Sequence, residues 1–350
     1  MRISYTEKVI LHCLNKIGNQ RTIFSILHLL NGKKTSQTIQ DAHLFHLTEF
    51  FHLFPRLQRN EFTEIYKRME KVNIIIEKEN LSFKLTNKGQ KIINGSSNPL
   101  PAYVNGWQYH RYTARFWERL SLLVQVVSQL NKQNQRYIPI QTKKEVHYWL
   151  KSLLKQLKWK REDLAKQLFG ELSALLGKDE SIRPILLVIR LSGYSKIGLT
   201  AEQVSDKLRM NEDEYHIHFL NILHYMIQQV EKSRTEFPIL QQLILDDDHS
   251  FSLLTKSTSK TYQLLQQGLS IDEIAAYRNL KKGTIEDHIV EIALNIQDFT
   301  IDKYVSQFNQ QQIERASKNV STKQLKYIRQ SVPGANYFEI RLVLAKNGIR

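Results

Sequence analysis

Apolar residues recur along most of this chain at intervals of three and four, the spacing that turns one face of an α-helix into a core. Val9, Ile10, Cys13, Leu14 and Ile17 form one such stripe, and Ile23, Ile26, Leu27 and Leu30 a second that runs up to Gly32. Phe62, Ile65, Tyr66, Met69 and Val72 form a third, with Asn60 as its expected N-cap. At Asn73 the period drops to two. The run I-I-I-E-K-E-N-L-S-F-K-L has β-rich arms around a polar tip at 77–80, and L-T-N-K-G at 85–89 closes it. Helices followed by a hairpin predict a winged helix within residues 1–95.

The most sharply punctuated stretch is 259–294. A helix carrying Tyr262, Leu264 and Leu265 stops at Gly268, which can take the left-handed conformation that ends helices. Ser270 then starts a second helix as N-cap, with Glu273 completing a capping box and Ile271, Ile274 and Ala275 facing inward. After Arg278, Asn279 and Leu280 a third start is expected at Thr284, with Asp287 at the same spacing; Ile285, His288, Ile289 and Ile292 follow at helical intervals. Two helices about a tight turn, braced by a preceding one, make a helix-turn-helix. A degenerate version begins at Thr200, a cap before a short helix, a turn and a longer helix through Phe219, Ile222, Leu223 and Met226. N-G-S-S-N-P-L-P at 94–101 reads as a linker, and a polar run ending in S-T-S marks a boundary near 246–258. The expected fold is mostly α and multi-domain: a winged helix with a β-hairpin wing at 1–95, a basic helical middle at 100–245 and a helix-turn-helix domain at 255–350.

Length and composition support that division. At 350 residues, 41% hydrophobic and 24% charged, the chain can bury two or three cores and is not disordered. Net charge of +16, with a pI near 9.6, favours polyanions, nucleic acid first. No apolar run approaches the ~18 residues of a membrane span, so no membrane partner is expected. The opening M-R-I-S-Y-T-E-K-V-I does not read as a secretion signal, and Cys13 is the only cysteine, so a cytoplasmic, nucleoid-associated location is expected.

The charge is unevenly spread. Between 100 and 161 there are twelve bases against Glu118 and Glu145, +10 of the total. Arg111, Arg115 and Arg119 recur every four residues and should share a helix face; Lys151, Lys155 and Lys158 do the same outside Val146, Trp149, Leu150, Leu153 and Leu157. All four tryptophans fall in this block, and the reading of them as core is favoured over base stacking. Near the hairpin, Lys67, Arg68 and Lys71 lie on the outer side of a helix, followed by Lys84, Lys88 and Lys91. These bases are the candidate DNA contacts. The helix-turn-helix is different: its second helix presents Glu286, Asp287 and Glu291 behind Lys281 and Lys282, and 246–312 holds ten acids against six bases. That is a poor footprint for phosphate and leaves a packing or partner-docking module as the alternative.

G-L-S-I-D-E-I-A at 268–275, G-T-I-E-D-H-I at 283–289 and the tail A-N-Y-F-E-I-R-L-V-L-A at 335–345 resemble the C-terminal helix-turn-helix of bacterial RecQ-type helicases. T-I-F-S-I-L-H-L-L-N-G-K-K-T at 22–35, E-F-T-E-I-Y-K-R-M at 61–69 and F-K-L-T-N-K-G at 83–89 resemble that family's winged-helix (RQC) domain. The resemblance implies binding to duplex beside a fork. In some members the wing is a strand-separating wedge with an aromatic tip; Glu77, Lys78, Glu79 and Asn80 depart from that pattern. The whole order, without a motor, resembles a family of helix-turn-helix proteins associated with a short RecQ-family (RecS-type) helicase. It implies an auxiliary subunit in DNA repair and recombination, which binds forked DNA or a single-strand/duplex junction and docks on a separate helicase.

Little points to chemistry. N-G-K-K-T at 31–35 lacks the upstream glycine and adjacent hydroxyl of a phosphate-binding loop, and G-K-D-E-S at 177–181 fails likewise, so no ATPase is expected. His43, His46, Glu49 and His52 recur at threes along an expected helix, and His216 and His218 lie close by one another, but twelve scattered histidines align so by chance; no metal or cofactor is expected. The expectation is a non-enzymatic DNA-binding accessory protein. A pure protein adaptor and a sequence-specific transcription factor stay open beside it.

Overall fold

The computed structural model describes residues 3–95, 100–157, 160–244, 254–320 and 324–347. Among these, the elements in order are α1 (Tyr5–Ile17), α2 (Phe24–Leu30), α3 (Ser36–Leu44), α4 (Arg59–Lys71), β1 (Ile75–Glu77), β2 (Phe83–Leu85) and α5 (Asn87–Asn94). Then come α6 (Gly106–Tyr109), α7 (Thr113–Asn131), α8 (Lys144–Leu157), α9 (Arg161–Gly177), α10 (Ile185–Val188), α11 (Ala201–Leu208), α12 (Glu212–Lys232) and α13 (Leu240–Ile244). The chain closes with α14 (Lys256–Gln266), α15 (Ile271–Arg278), α16 (Lys282–Asn295), α17 (Gln307–Asn319), α18 (Leu325–Ser331) and α19 (Tyr337–Asn347). The protein is mostly helical, with one small two-stranded antiparallel sheet among the described residues. It divides into two compact units, Met1–Lys8 with Ser97–His249, and Val9–Ser96 with Ser250–Arg350. Most of the expected linker (96–99) and the D-D-D run at 246–248 lie outside the described residues; Ser257–Ser259, expected at a boundary, lie within α14.

In the second unit, α4 starts at Arg59 and not after Asn60, because the Gln58 N–H is taken by Glu61 Oε2 at 2.8 Å, one arm of a capping box. Its Phe62, Tyr66 and Met69 are buried, Phe62 against Phe24 and Tyr66 against Phe83. Asn73, at φ +56°, turns the chain into the hairpin, where Ile75 pairs Leu85, Ile76 pairs Lys84 and Glu77 pairs Phe83. Thr86 caps α5, and a Cβ at Gly89 would meet the Ile74 carbonyl at 2.4 Å, so this helix reaches the hairpin only with glycine there. The expected histidine helix does not form. α3 ends at Leu44, and His46 and His52 sit in left-handed turns at φ +53° and +59°, which scatters His43, His46, Glu49 and His52 away from a single face.

The same unit holds the helix-turn-helix. α16 is enclosed by α14, α15, α19 and α3. Arg341 on α19 ties the group together: it pairs with Asp287 of α16 at 2.6 Å, donates to Gln40 Oε1 of α3 at 3.0 Å, and donates to Ser36 Oγ.

The first unit is built on α7 and α12, whose Phe116, Leu120, Leu123, Ile222, Leu223 and Met226 lie in one apolar core. Two buried polar side chains there are met by partners from distant segments. Glu171 accepts from the N–H groups of Ile239 (3.1 Å) and Leu240 (2.9 Å), holding the start of α13, and His224 accepts from Asn105 N–H at 3.0 Å with Thr113 Oγ1 3.0 Å from its other nitrogen.

α11 and α12 repeat the geometry of α15 and α16 seventy positions earlier (200 and 270). Both short helices run eight residues behind a capping box, Thr200 with Gln203 and Ser270 with Glu273. Both end on a left-handed residue, Arg209 (φ +54°) and Asn279 (φ +51°), and the next N–H returns to the same place, Met210 to Ser205 and Leu280 to Ala275, each at 2.9 Å. Val204 and Ile274, Tyr215 and Ile285, and Ile222 and Ile292 are buried at matching steps. The degenerate copy is thus a full helix-turn-helix in geometry.

Candidate nucleic-acid interface

The first cationic face lies on the second unit. Lys67, Arg68 and Lys71 are exposed along α4, opposite the buried Phe62, Tyr66 and Met69. Lys84 on β2 and Lys88 and Lys91 on α5 are exposed as well, Lys88 donating to the Val72 carbonyl at 2.8 Å. Capping and hairpin register place these bases on the helix before the hairpin, on its second strand and on the helix after it. The tip between the strands is exposed and carries Lys78, Glu79 and Asn80, with no aromatic ring to insert between strands.

The second face lies on the first unit, and here the sequence-based grouping separates. Arg111 sits in the turn before α7, and Arg115 is exposed on it. Arg119 is turned inward, only 9% exposed, donating to the Leu243 carbonyl at 3.0 Å and stacked 4.8 Å over Trp149. It holds α7, α8 and α13 together and is not a phosphate contact. The cause is packing: Trp149 leaves a flat ring under the guanidinium, and the loss of hydration is met by a carbonyl and a π-face. Trp107 is buried and Trp117 is half-buried, edge-on to Phe219 at 5.0 Å, so both pack as core; Trp159 lies outside the described residues. On α8, Lys151 and Lys155 are exposed; Lys158 lies outside the described residues. Lys143 pairs with Glu118 at 2.5 Å, neutralising one of the block's two acids. A residue the spacing argument passed over, Tyr148, is 67% exposed on the same helix; the step from Lys144 through 148 to 151 and 155 was the available signal.

The helix-turn-helix keeps its expected first half. Ser270 Oγ accepts from Glu273 N–H at 3.3 Å and Glu273 Oε2 accepts from Ser270 N–H at 2.7 Å; that N–H and the Ser270 hydroxyl hold the Glu273 carboxyl below its usual range, so both residues are structural. The second half differs. α16 begins at Lys282 behind Lys281, and Thr284 is inside the first turn, half-buried, rather than capping it. Glu291, expected on the outer face, is buried. Its carboxylate accepts from Thr255 N–H at 2.5 Å and Thr258 Oγ1 at 2.6 Å, anchoring the start of α14. His288 is buried too, 2.8 Å from Thr261 Oγ1, and burial with nearby Arg278 lowers its pKa to about 4. From 288 to 294 α16 is internal throughout, so only Lys281, Lys282 and Gly283 at its start are fully exposed, with Lys282 paired to Asp272 at 3.0 Å. N-terminal residues are the ones a recognition helix aims at base edges; the rest of α16 has no free face to lay in a groove.

Residues 257–344 match a family of helix-turn-helix domains, so the class of protein that the α14–α19 region defines is a helix-turn-helix protein. A curated relative, Protein YpbB of Bacillus subtilis (strain 168), is 35% identical over 350 residues, 99% of this chain and 98% of that protein. The chain belongs to the YpbB family. No solved structure matches it.

Proposed function

We propose that this chain is a non-catalytic DNA-binding accessory protein that partners a RecQ-family (RecS-type) helicase in DNA repair and recombination. The observation that carries the DNA half is the pair of exposed lysine and arginine faces on elements whose other sides are core: Lys67, Arg68, Lys71, Lys84 and Lys91 on one, Arg115, Lys151 and Lys155 on the other. With a net charge of +16, these faces favour a polyanion such as nucleic acid over a neutral or cationic partner. The helicase half rests on the sequence resemblance of the helix-turn-helix and winged-helix segments to RecQ-type helicases. DNA with a fork or a single-strand/duplex junction is the substrate that this partnership implies. No described helix is long and apolar enough to cross a membrane.

The enclosure of α16 favours a second reading, an adaptor whose helix-turn-helix copies serve packing and docking alone, and it counts against a sequence-reading transcription factor. Reversal of Lys67, Arg68 and Lys71 to Glu separates the two. The proposal expects loss of fork binding with helicase capture retained. Unchanged fork binding, or failure of the wild-type chain to capture the helicase, would count against it.

A further inference from the structure

Position along α8 fixes which of its side chains stand together. At 100° per residue, Lys144, Tyr148, Lys151 and Lys155 fall within a sector about 60° wide, opposite the core-facing Val146, Leu150 and Leu153. All four are exposed, Tyr148 by 67%. Glu145, the acid on this helix, lies well to one side of the sector, and Glu118 is neutralised by Lys143. Trp149, next in sequence, shows the contrast: it is half-buried against the core with Arg119 4.8 Å over its ring, whereas the Tyr148 side chain is mostly exposed.

An exposed ring inside a lysine stripe matches a ligand that carries both negative charge and flat apolar surface. A duplex supplies phosphates but hides its base faces in the stack; an unpaired strand supplies both. From the geometry we infer that the outer face of α8 is a single-strand nucleic-acid track, with Tyr148 stacking on an unpaired base and Lys144, Lys151 and Lys155 on the adjoining phosphates. From Lys144 to Lys155 the helix advances about 16 Å, some five steps of a stacked strand, within the usual site size of single-strand binders. This rests on the DNA-binding reading above and adds the form of the ligand: the wing face takes duplex, and α8 takes the unpaired arm.

The test uses the full chain and fluorescence anisotropy with a fluorescein-labelled mixed-sequence single strand, a duplex of the same length, and a fork. Tyr148→Ala should weaken single-strand binding about five- to thirty-fold while changing duplex binding less than two-fold. Tyr148→Phe, which keeps the ring, should bind like wild type. Lys151→Glu with Lys155→Glu should weaken single-strand binding and flatten its salt dependence. Single-strand affinity unmoved by Tyr148→Ala would overturn the inference while leaving the wing face intact, as would equal losses on single strand and duplex. Failure of the wild-type chain to bind any of the three would overturn the DNA-binding reading along with it.

Discussion

Replacing Glu291 tests the enclosure of the helix-turn-helix. Its carboxylate holds Thr255 N–H and Thr258 Oγ1 at 2.5 and 2.6 Å, and Thr258 has no solvent exposure. Glu291→Ala therefore strands a buried hydroxyl and a backbone N–H at the start of α14 and removes a negative charge from a helix N-terminus. A hydrogen bond to a charged group contributes about 1.5–3 kcal/mol, and the helix-end interaction adds up to about 1 kcal/mol. Because the stranded groups can partly rehydrate, the expected loss is about 3 kcal/mol. Glu291→Gln keeps one acceptor oxygen and should lose about 1 kcal/mol. Urea unfolding followed by far-UV circular dichroism measures both, and DNA binding of the Gln variant should equal wild type. A loss below about 0.5 kcal/mol for Glu291→Ala would mean that this face of α16 is open to solvent, and the enclosure would be refuted.

Further outcomes follow from the same packing. His224 and His288 are held neutral by burial, their pKa values lowered to about 3 and about 4 from 6.5. Above pH 6.5 both are neutral folded or unfolded and stability is complete; as pH falls below 6.5 the unfolded chain gains protons that the folded one refuses. Stability should fall steadily from pH 6.5 toward 4, and His288→Gln should flatten the profile in urea titrations. Arg341→Ala should lose about 2–3 kcal/mol by leaving Asp287 and Gln40 without their donor, and Arg341→Lys, a point charge without the planar fork, should recover less than half in the same assay. Ser270→Ala should cost about 1 kcal/mol, and Thr200→Ala a similar amount in the first unit, because both remove one arm of an N-terminal capping box.

How far the sequence was readable depended on whether the deciding group was local. Gly268, Ser270 with Glu273, and Asn279 are punctuation, and each does in the structure what its residue type dictates. Thr200 likewise announced the second copy. Gln58 was passed over because Asn60 is the better cap by type, yet Glu61 stands three residues beyond Gln58 and closes the box there. Arg119 and Glu291 were misplaced for a different reason. Periodicity assigns a charged residue to the outer face by default, and only the partners supplied from distant segments, Trp149 and Leu243 for one, Thr255 and Thr258 for the other, make their burial tolerable. The joining of residues 9–96 with 250–350 in one unit was invisible for the same reason, since Arg341 meets Ser36 and Gln40 across some three hundred positions of chain.

The central claim is that exposed cationic faces bind a forked nucleic acid by releasing its counterions. The most direct measurement is the affinity of the full chain for a labelled fork across a series of salt concentrations. The account predicts binding at about 50 mM salt, with log K falling linearly against log salt and a slope that shrinks by roughly 2–3 when Lys67, Arg68 and Lys71 become Glu. No binding at that salt, or a slope indifferent to the three reversals, would contradict it.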